Sequence, residues 1–436
     1  MPQNNVLDSI ILDIDRLSYG PYGIGRNSGK AVMVPHTAPG DQVAVRILES
    51  KQRYDVGEIT RLISPSPLRQ TPPCPYFTAC GGCSWQHLPY EAQLKAKQQS
   101  VTDALQRIGK LADFELKPIV PASNEYHYRR RIRLQVAANN VLGFFGTASH
   151  QLVEIRSCLI ADERLNNALE LLRDWIRRLR TAVEYVEIVA GDQPAEVVAV
   201  IGAVTSFALA DESICDGLTR ETETIRGLIL SGENWRRTWG QTAITIALGA
   251  DSSLMVDADV FTQVNAAANR QMLQALLGAA QFNRSDRVLE LYCGAGNFTL
   301  PIAQQAQEVI GVDGDRSAIR HGKLNAQKND LTNIRWTCAP VPKAVVEFRH
   351  RQEEFTKIVL DPPRAGAKEI AASLPDLDAS RIVYVSCNPT TLARDLAELA
   401  KRGYRLQMVQ PFDFFPQTFH VEMLAVLDRS ASFRPV

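Results

Sequence analysis

From about residue 262 to the end, near-continuous apolar stretches alternate with helical ones at short intervals. A helical run, NAAANRQMLQALLGAA, precedes the strand-like RVLELYC, the loop GAGN and a further helix. EVIGVDGD, KIVLDPPR and RIVYVSCNP then follow as strands separated by helices. A strand read as apolar along its whole length must be buried on both faces, so the pattern predicts a parallel sheet covered by helices on either side. The end, GYRLQMVQPFDFFP followed by HVEMLAVLDR, reads as a last antiparallel hairpin on that sheet.

The 436 residues exceed what one such sheet needs, and about 150 residues per domain leaves room for about three domains. Residues 7–64 alternate short apolar runs with turn residues and carry no long helix, which predicts a small β-barrel. The proline-rich SPSPLRQTPPCP reads as the stiff linker that closes it. Between linker and sheet the reading is α+β. LPYEAQLKAKQQSVTDALQRIGK is one amphipathic helix with Leu94, Val101, Leu105 and Ile108 on its apolar face and Gly109 as its stop. RIRLQVAA, NVLGFFG and HQLVEI form a meander. DERLNNALELLRDWIRRLR is a second helix, whose Arg173, Arg177, Arg178 and Arg180 read as a solvated face. VEYVEIVAG and AEVVAVIGAV are two more strands. The predicted division is 1–66, 67–255 and 256–436, with the helix near 90–110 packing on the last part.

No apolar run approaches the ~18 residues of a membrane span, and MPQNNVLDS has neither a basic nor an apolar leader region. A cytoplasmic protein is expected. Net charge is zero, 48 basic against 48 acidic side chains, so bulk charge does not mark a nucleic-acid binder and any RNA must be held by a local patch. Tyr126-His127-Tyr128-Arg129-Arg130-Arg131-Ile132-Arg133 is the candidate, because it interleaves aromatic and basic side chains; the alternative is a strand with a solvated basic face.

Glu290-Leu-Tyr-Cys-Gly294-Ala-Gly296-Asn297 stands where a strand turns into a helix. Its glycines allow close approach of a ligand to backbone amides. Asp313, 17 residues after Gly296, sits at an acidic strand end able to accept ribose hydroxyls. Position 299 is Thr where a dinucleotide fingerprint has a third glycine, so an adenosyl ligand without pyrophosphate fits better than NAD. Asp361-Pro-Pro-Arg364 follows the next strand. Enzymes that methylate base amino groups carry an aromatic residue where Arg364 stands, which disfavours that chemistry. Cys387, in Ser-Cys-Asn-Pro, is either an exposed reactive thiol or a buried structural one. Glu422 is a carboxylate entering an apolar strand, either a base or an edge charge.

Eight cysteines without a secretory leader read as thiols for metal or catalysis. Cys74, Cys80 and Cys83 are spaced x5 and x2, and Cys158 follows after 74 intervening residues. Four thiolates suit a tetrahedral zinc or a 4Fe–4S cluster.

Taken together, VLELYCGAGNFTLPIA, IGVDGD, LDPPRAG, IVYVSCNPTTLARD and FFPQTFHVE resemble the RNA uracil-5-methyltransferase family, most closely its iron–sulfur 23S rRNA type. Residues 7–64 resemble that family's RNA-binding TRAM barrel, CPYFTACGGCSWQH its cluster motif, and YRRRIRL and VEIRSC its middle domain. The resemblance implies a C-terminal Rossmann-like class I methyltransferase domain, S-adenosylmethionine and a 4Fe–4S cluster as cofactors, and 23S rRNA rather than DNA or a membrane as partner. It implies a monomer, Cys387 as nucleophile and Glu422 as base. It also implies Gln263, Tyr292, Asn297, Asp313 and Asp361 as cofactor contacts, and Cys74, Cys80, Cys83 and Cys158 as cluster ligands. A further polar contact of the family is replaced here by Cys338-Ala339-Pro340. The same chemistry on tRNA, and a non-catalytic RNA-binding iron–sulfur protein, are the alternatives.

Overall fold

The computed structural model describes residues 9–137, 140–147, 149–249 and 252–430. Val6–Asp8 of the first predicted strand lie outside them. The chain forms two compact units: residues 1–100, 145–153 and 415–420 make one, and the remainder makes the other.

In the first unit, β1 (Ile10–Leu17), β2 (Tyr22–Asn27), β3 (Lys30–Pro35), β4 (Gln42–Ser50) and β5 (Tyr54–Ser64) close into a barrel in the order β1-β2-β3-β5-β4. Alternate residues point inward, so Leu12, Ile14, Val32, Val34, Val43 and Val45 fill its core. The linker is pinned to the barrel. Arg69 donates from Nε and Nη2 to the buried Asp41 carboxylate, each at 2.8 Å, and from Nη2 to the His36 carbonyl. Asp41 in turn accepts the amides of Ala38 and Ser66.

The helix predicted over 88–110 is α1 (Tyr90–Asp103) followed by a π-helical turn over Ala104–Ile108, with Gly109 ending it. The wider π turn rotates the following residues off the α-helical face. Val101 and Leu105 are buried as expected, whereas Ile108 is exposed. Lys97 is buried, its ammonium donating to the Phe415 carbonyl at 3.0 Å. The π turn and Gly109 pack on the last helix of the second unit.

Next along the chain come β6 (Glu115–Leu116), β7 (Arg131–Ala137), β8 (Val141–Phe145), β9 (Leu152–Glu154), α2 (Glu163–Arg178), β10 (Val183–Ala190), β11 (Val197–Ala203), α3 (Glu212–Arg220), β12 (Gly227–Gly232) and β13 (Trp235–Gly240). Strands β7 to β13 give a seven-stranded sheet, β13-β12-β11-β10-β7-β8-β9, in which β11 and β12 pair parallel. Arg173 is not solvated as expected: it is buried and donates to the Ile155 carbonyl at 2.6 Å. A hairpin of β14 (Ala243–Ala247) and β15 (Ser253–Asp257) leads to α4 (Ala266–Ala280).

The remaining elements are β16 (Arg287–Leu291), α5 (Thr299–Ala303), β17 (Glu308–Asp313), α6 (Arg316–Lys328), β18 (Ile334–Cys338), α7 (Val341–His350), β19 (Lys357–Leu360), β20 (Arg381–Ser386), α8 (Pro389–Lys401), β21 (Tyr404–Phe412) and β22 (Glu422–Arg429). With β6 at its edge they form one sheet in the order β18-β17-β16-β19-β20-β22-β21-β6. Strands β16 to β20 run parallel, and β22 runs antiparallel between β20 and β21. The order reverses direction at β16, and the crevice beyond the carboxyl ends of its neighbours is where such sheets bind ligands.

Candidate active site

Every predicted cofactor and catalytic residue lies at that crevice. The chain leaves β16 with Tyr292 at φ +63°, Gly294 at +54° and Gly296 at +101°. Left-handed backbone at a tyrosine costs roughly 1–2 kcal/mol, and it turns the loop across the strand end. At Gly296 a Cβ would stand 3.0 Å from the Trp336 ring, so the close packing of this loop on β18 needs glycine. Gln263, Tyr292, Asn297 and Asp361 line one cleft together with Phe261 and Phe298. The Asn297 amide is locked in a reciprocal pair with Asn269 on α4, at 2.8 and 3.0 Å. Asp313, at the end of β17, accepts the amides of Gly294 at 2.9 Å and Asp315 at 2.8 Å, tying the two strand ends together. Cys338 ends β18 exposed, and the Ala339 amide donates to the Asp313 carbonyl.

Cys387 follows β20. Asn388 caps α8 by accepting the Thr390 amide at 3.0 Å, and Pro389 starts the helix where no amide is needed. The thiol is half-buried. Because β22 runs antiparallel beside β20, with Met423 opposite Ser386, its first residue Glu422 arrives at the same edge. Burial first, with Glu422 and Asp361 adding to it and Arg364 opposing, pushes the Cys387 thiol up to about 11. Glu422 is held well above the usual carboxylate range by burial and then by Asp361, against Arg364. Asp361 is pushed up to about 7 by burial. The thiol thus stands in the field of two carboxyls that burial inclines to keep their protons and of one guanidinium.

Glu290, inside β16, was not expected to matter. It is fully buried, its Oε2 has no hydrogen-bond partner, and burial raises it to about 8. A carboxylate in the middle of the apolar run VLELYC is the signal that could have marked it. Asn269 had no comparable signal, lying in an alanine-rich helix.

The arginine run is not a free basic face. Arg130 is 4% exposed and sits 2.9 Å from Asp192. Arg131 donates to Glu187 and to the carbonyls of Ala258 and Val260, each at 2.7 Å. Arg129 is half-buried. Arg133 has about half its side chain exposed and is paired with Glu187 while lying over the Tyr185 ring.

Cys74, Cys80, Cys83 and Cys158 are all half-buried. The Gly82 amide points at the Cys80 sulfur, 3.4 Å away, and Asn166 clamps the Cys158 backbone through both its amide and its carbonyl. Among the described residues no three His, Cys, Asp or Glu side chains are gathered as a metal site.

The strand order, the reversed β22 and a glycine turn at the end of the first parallel strand define the class I methyltransferase architecture. Residues 249–430 match the family described as tRNA (Uracil-5-)-methyltransferase, and residues 10–68 match the TRAM domain of tRNA (uracil(54)-C(5))-methyltransferase. The 23S rRNA (uracil(1939)-C(5))-methyltransferase of Pectobacterium atrosepticum is 34% identical, covering 97% of this chain and 95% of that one. The enzyme of the same name from Pasteurella multocida is 32% identical over 98% and 97%. The crystal structure of Pyrococcus abyssi tRNA (uracil-54, C5)-methyltransferase in complex with S-adenosyl-L-homocysteine superposes with a TM-score of 0.75, at 24% identity, over 96% of this chain and 100% of that one. The chain belongs to the RNA uracil-5-methyltransferase family and is an S-adenosylmethionine-dependent enzyme of that family. Among the described residues no helix is long and apolar enough to cross a membrane.

Proposed function

We propose that this enzyme methylates carbon 5 of a uridine in 23S rRNA through a transient bond between Cys387 and the base. Carbon 5 of uracil is too weak a nucleophile to attack a sulfonium methyl unaided. The Cys387 thiolate adds to carbon 6, and the ring electrons move onto the carbonyl as an enolate. Carbon 5 then takes the methyl of S-adenosylmethionine, and S-adenosylhomocysteine leaves. Glu422 removes the carbon 5 proton, the carbon–sulfur bond breaks, and the thiolate departs. The target base must leave its stack to reach Cys387. The observation that carries this reading is the arrival of a thiol and a proton-retaining carboxyl on adjacent strands beside the Asp361 cleft.

Gln263, Tyr292, Asn297, Asp313 and Asp361 hold the S-adenosylmethionine. The choice of 23S rRNA over tRNA follows the names of the curated relatives; the family description and the Pyrococcus structure name tRNA, so both RNAs belong in the assay. The barrel and Arg133 supply RNA contacts, and the protein acts in the cytoplasm as a monomer on RNA, not DNA. Cys74, Cys80, Cys83 and Cys158 hold a 4Fe–4S cluster as a structural staple, a reading supported by the resemblance of CPYFTACGGCSWQH to the family's cluster motif and by the amide directed at Cys80. Iron and labile sulfide in the purified protein would bear this out, and stoichiometric zinc would defeat it.

The test is Cys387→Ala with unmodified 23S rRNA and labelled cofactor. Methylation is abolished while S-adenosylhomocysteine binding persists, and RNA bearing 5-fluorouridine at the target traps the wild-type protein covalently, because fluorine blocks the last proton transfer. An active alanine variant would overturn the mechanism.

A further inference from the structure

The segment between Asp361 and Ala367 has no strand or helix of its own, yet it carries Arg364, whose positive charge acts on the Cys387 thiol. Its backbone is satisfied by the side chains of α8. The Arg364 carbonyl accepts from Thr391 Oγ1 at 3.2 Å and Asn388 Nδ2 at 3.5 Å, and the Ala365 carbonyl accepts from Arg394 Nη2 at 2.9 Å. The Ala367 amide donates to Asp395 Oδ2 at 2.7 Å. That oxygen also accepts the Tyr384 hydroxyl at 2.8 Å, and Arg394 Nε donates to the other carboxylate oxygen at 2.8 Å. Asp395 is 1% exposed, so these bonds are made away from competing water. Gly366, at φ +77°, passes so close that a Cβ would meet Asp395 Oδ2 at 2.5 Å and Arg394 Nη2 at 2.7 Å. Tyr384 stands on β20 three residues before Cys387, and α8 starts two residues after it. The nucleophile and the Asp361–Ala367 loop are therefore registered by one helix face and one buried carboxylate.

We infer that Asp395, with Thr391 and Arg394, is a positioning residue that sets the Arg364 guanidinium against the Cys387 sulfur, an inference that rests on Cys387 being the nucleophile. The charged groups facing that sulfur are Glu422 from β22 and Asp361 and Arg364 from the loop after β19, and Arg364 alone favours the thiolate. A loop released from α8 withdraws that one favourable charge. The thiol then becomes harder to ionise while Asp361, whose amide donates to the Leu291 carbonyl of β16, stays at the cofactor cleft.

The experiment compares Asp395→Ala and the milder Thr391→Val with wild type. Cys387 alkylation by iodoacetamide at pH 9 in RNA-free protein is read by mass on its own peptide, alongside kcat and KM. Alkylation slows about tenfold in Asp395→Ala, corresponding to roughly one pKa unit. Its kcat falls roughly a hundredfold, the scale expected of a small misplacement, while KM for S-adenosylmethionine stays within about twofold. Thr391→Val shifts both in the same direction by a smaller factor, and it decides the matter where Asp395→Ala does not fold. Wild-type thiol reactivity in folded variants, with or without lost stability, overturns the inference. Cys387→Ala is run beside them: if it methylates RNA normally the parent mechanism falls, and if it is dead while Thr391→Val and Asp395→Ala keep normal alkylation, only the clamp falls.

Discussion

Glu422 shows how a single position acquires a chemical role from its surroundings. It opens β22 with 8% of its surface exposed, and burial together with Asp361 makes it hold its proton far above the pH at which a solvated carboxylate would lose it. A group that must remove the carbon 5 proton works only when ionised, so activity climbs as pH rises and fades as pH falls. Cys387, raised to about 11, pushes the profile the same way. Glu422→Gln keeps the shape and removes the base. The carbon–sulfur adduct then forms on ordinary RNA and persists, with turnover reduced roughly a hundredfold or more. Retention of a covalent protein–RNA band after quenching, without 5-fluorouridine, is the measurement, and normal turnover would remove Glu422 from the role.

At the level of strands, the pairing of β7 with β10 explains why the arginine run is not a freely solvated basic face. Glu187 lies directly opposite Arg133 across the ladder and is 4% exposed; its two oxygens receive Arg131 at 2.7 Å and Arg133 at 2.6 Å. That carboxylate is 54 residues away in the chain, so local spacing cannot reveal that the cations are already engaged. Glu187→Ala strands two arginines, one of them largely buried, and should lower unfolding stability by about 3–5 kcal/mol. Arg133→Ala, on the half-exposed side, should cost about 1 kcal/mol or less. Urea unfolding of both variants checks the asymmetry, and equal losses would contradict it. The same distinction governs legibility elsewhere. The parallel strands of the last sheet and the barrel strands could be read because their burial depends on local apolar pattern. The order of the Asp361–Ala367 loop could not, because its hydrogen-bond partners lie on a helix about 25 residues further on. The π turn after α1 was equally hidden, since its residues keep an α-helical pattern.

For the molecule as a whole, buried titratable groups pull stability in opposite directions with pH. His87, 2% exposed and pushed down to about 4 by burial, stays neutral when folded while the unfolded chain protonates near 6.5. The unfolded state then binds more protons, so this contribution is lost as pH falls from 6.5 toward 4. Glu290 and Asp361 work the other way. Their usual values of 4.5 and 3.8 rise to about 8 and about 7, so the folded protein holds protons that the unfolded chain has released. Stability is fully present below pH 4 for these two and is lost as pH rises through 7 and 8, by at most roughly 1.4 kcal/mol per pH unit for each retained proton. Above pH 6.5 the histidine no longer opposes them, which isolates the carboxyl contribution. Cofactor-free protein should therefore melt progressively lower from pH 6.5 to pH 8. Glu290→Gln keeps the buried side chain's size, carries no titrating proton, and should flatten that decline and melt higher than wild type at pH 8. A parallel decline in the variant would mean that Glu290 ionises as freely as a surface carboxylate, and that the orphaned oxygen inside β16 is solvated.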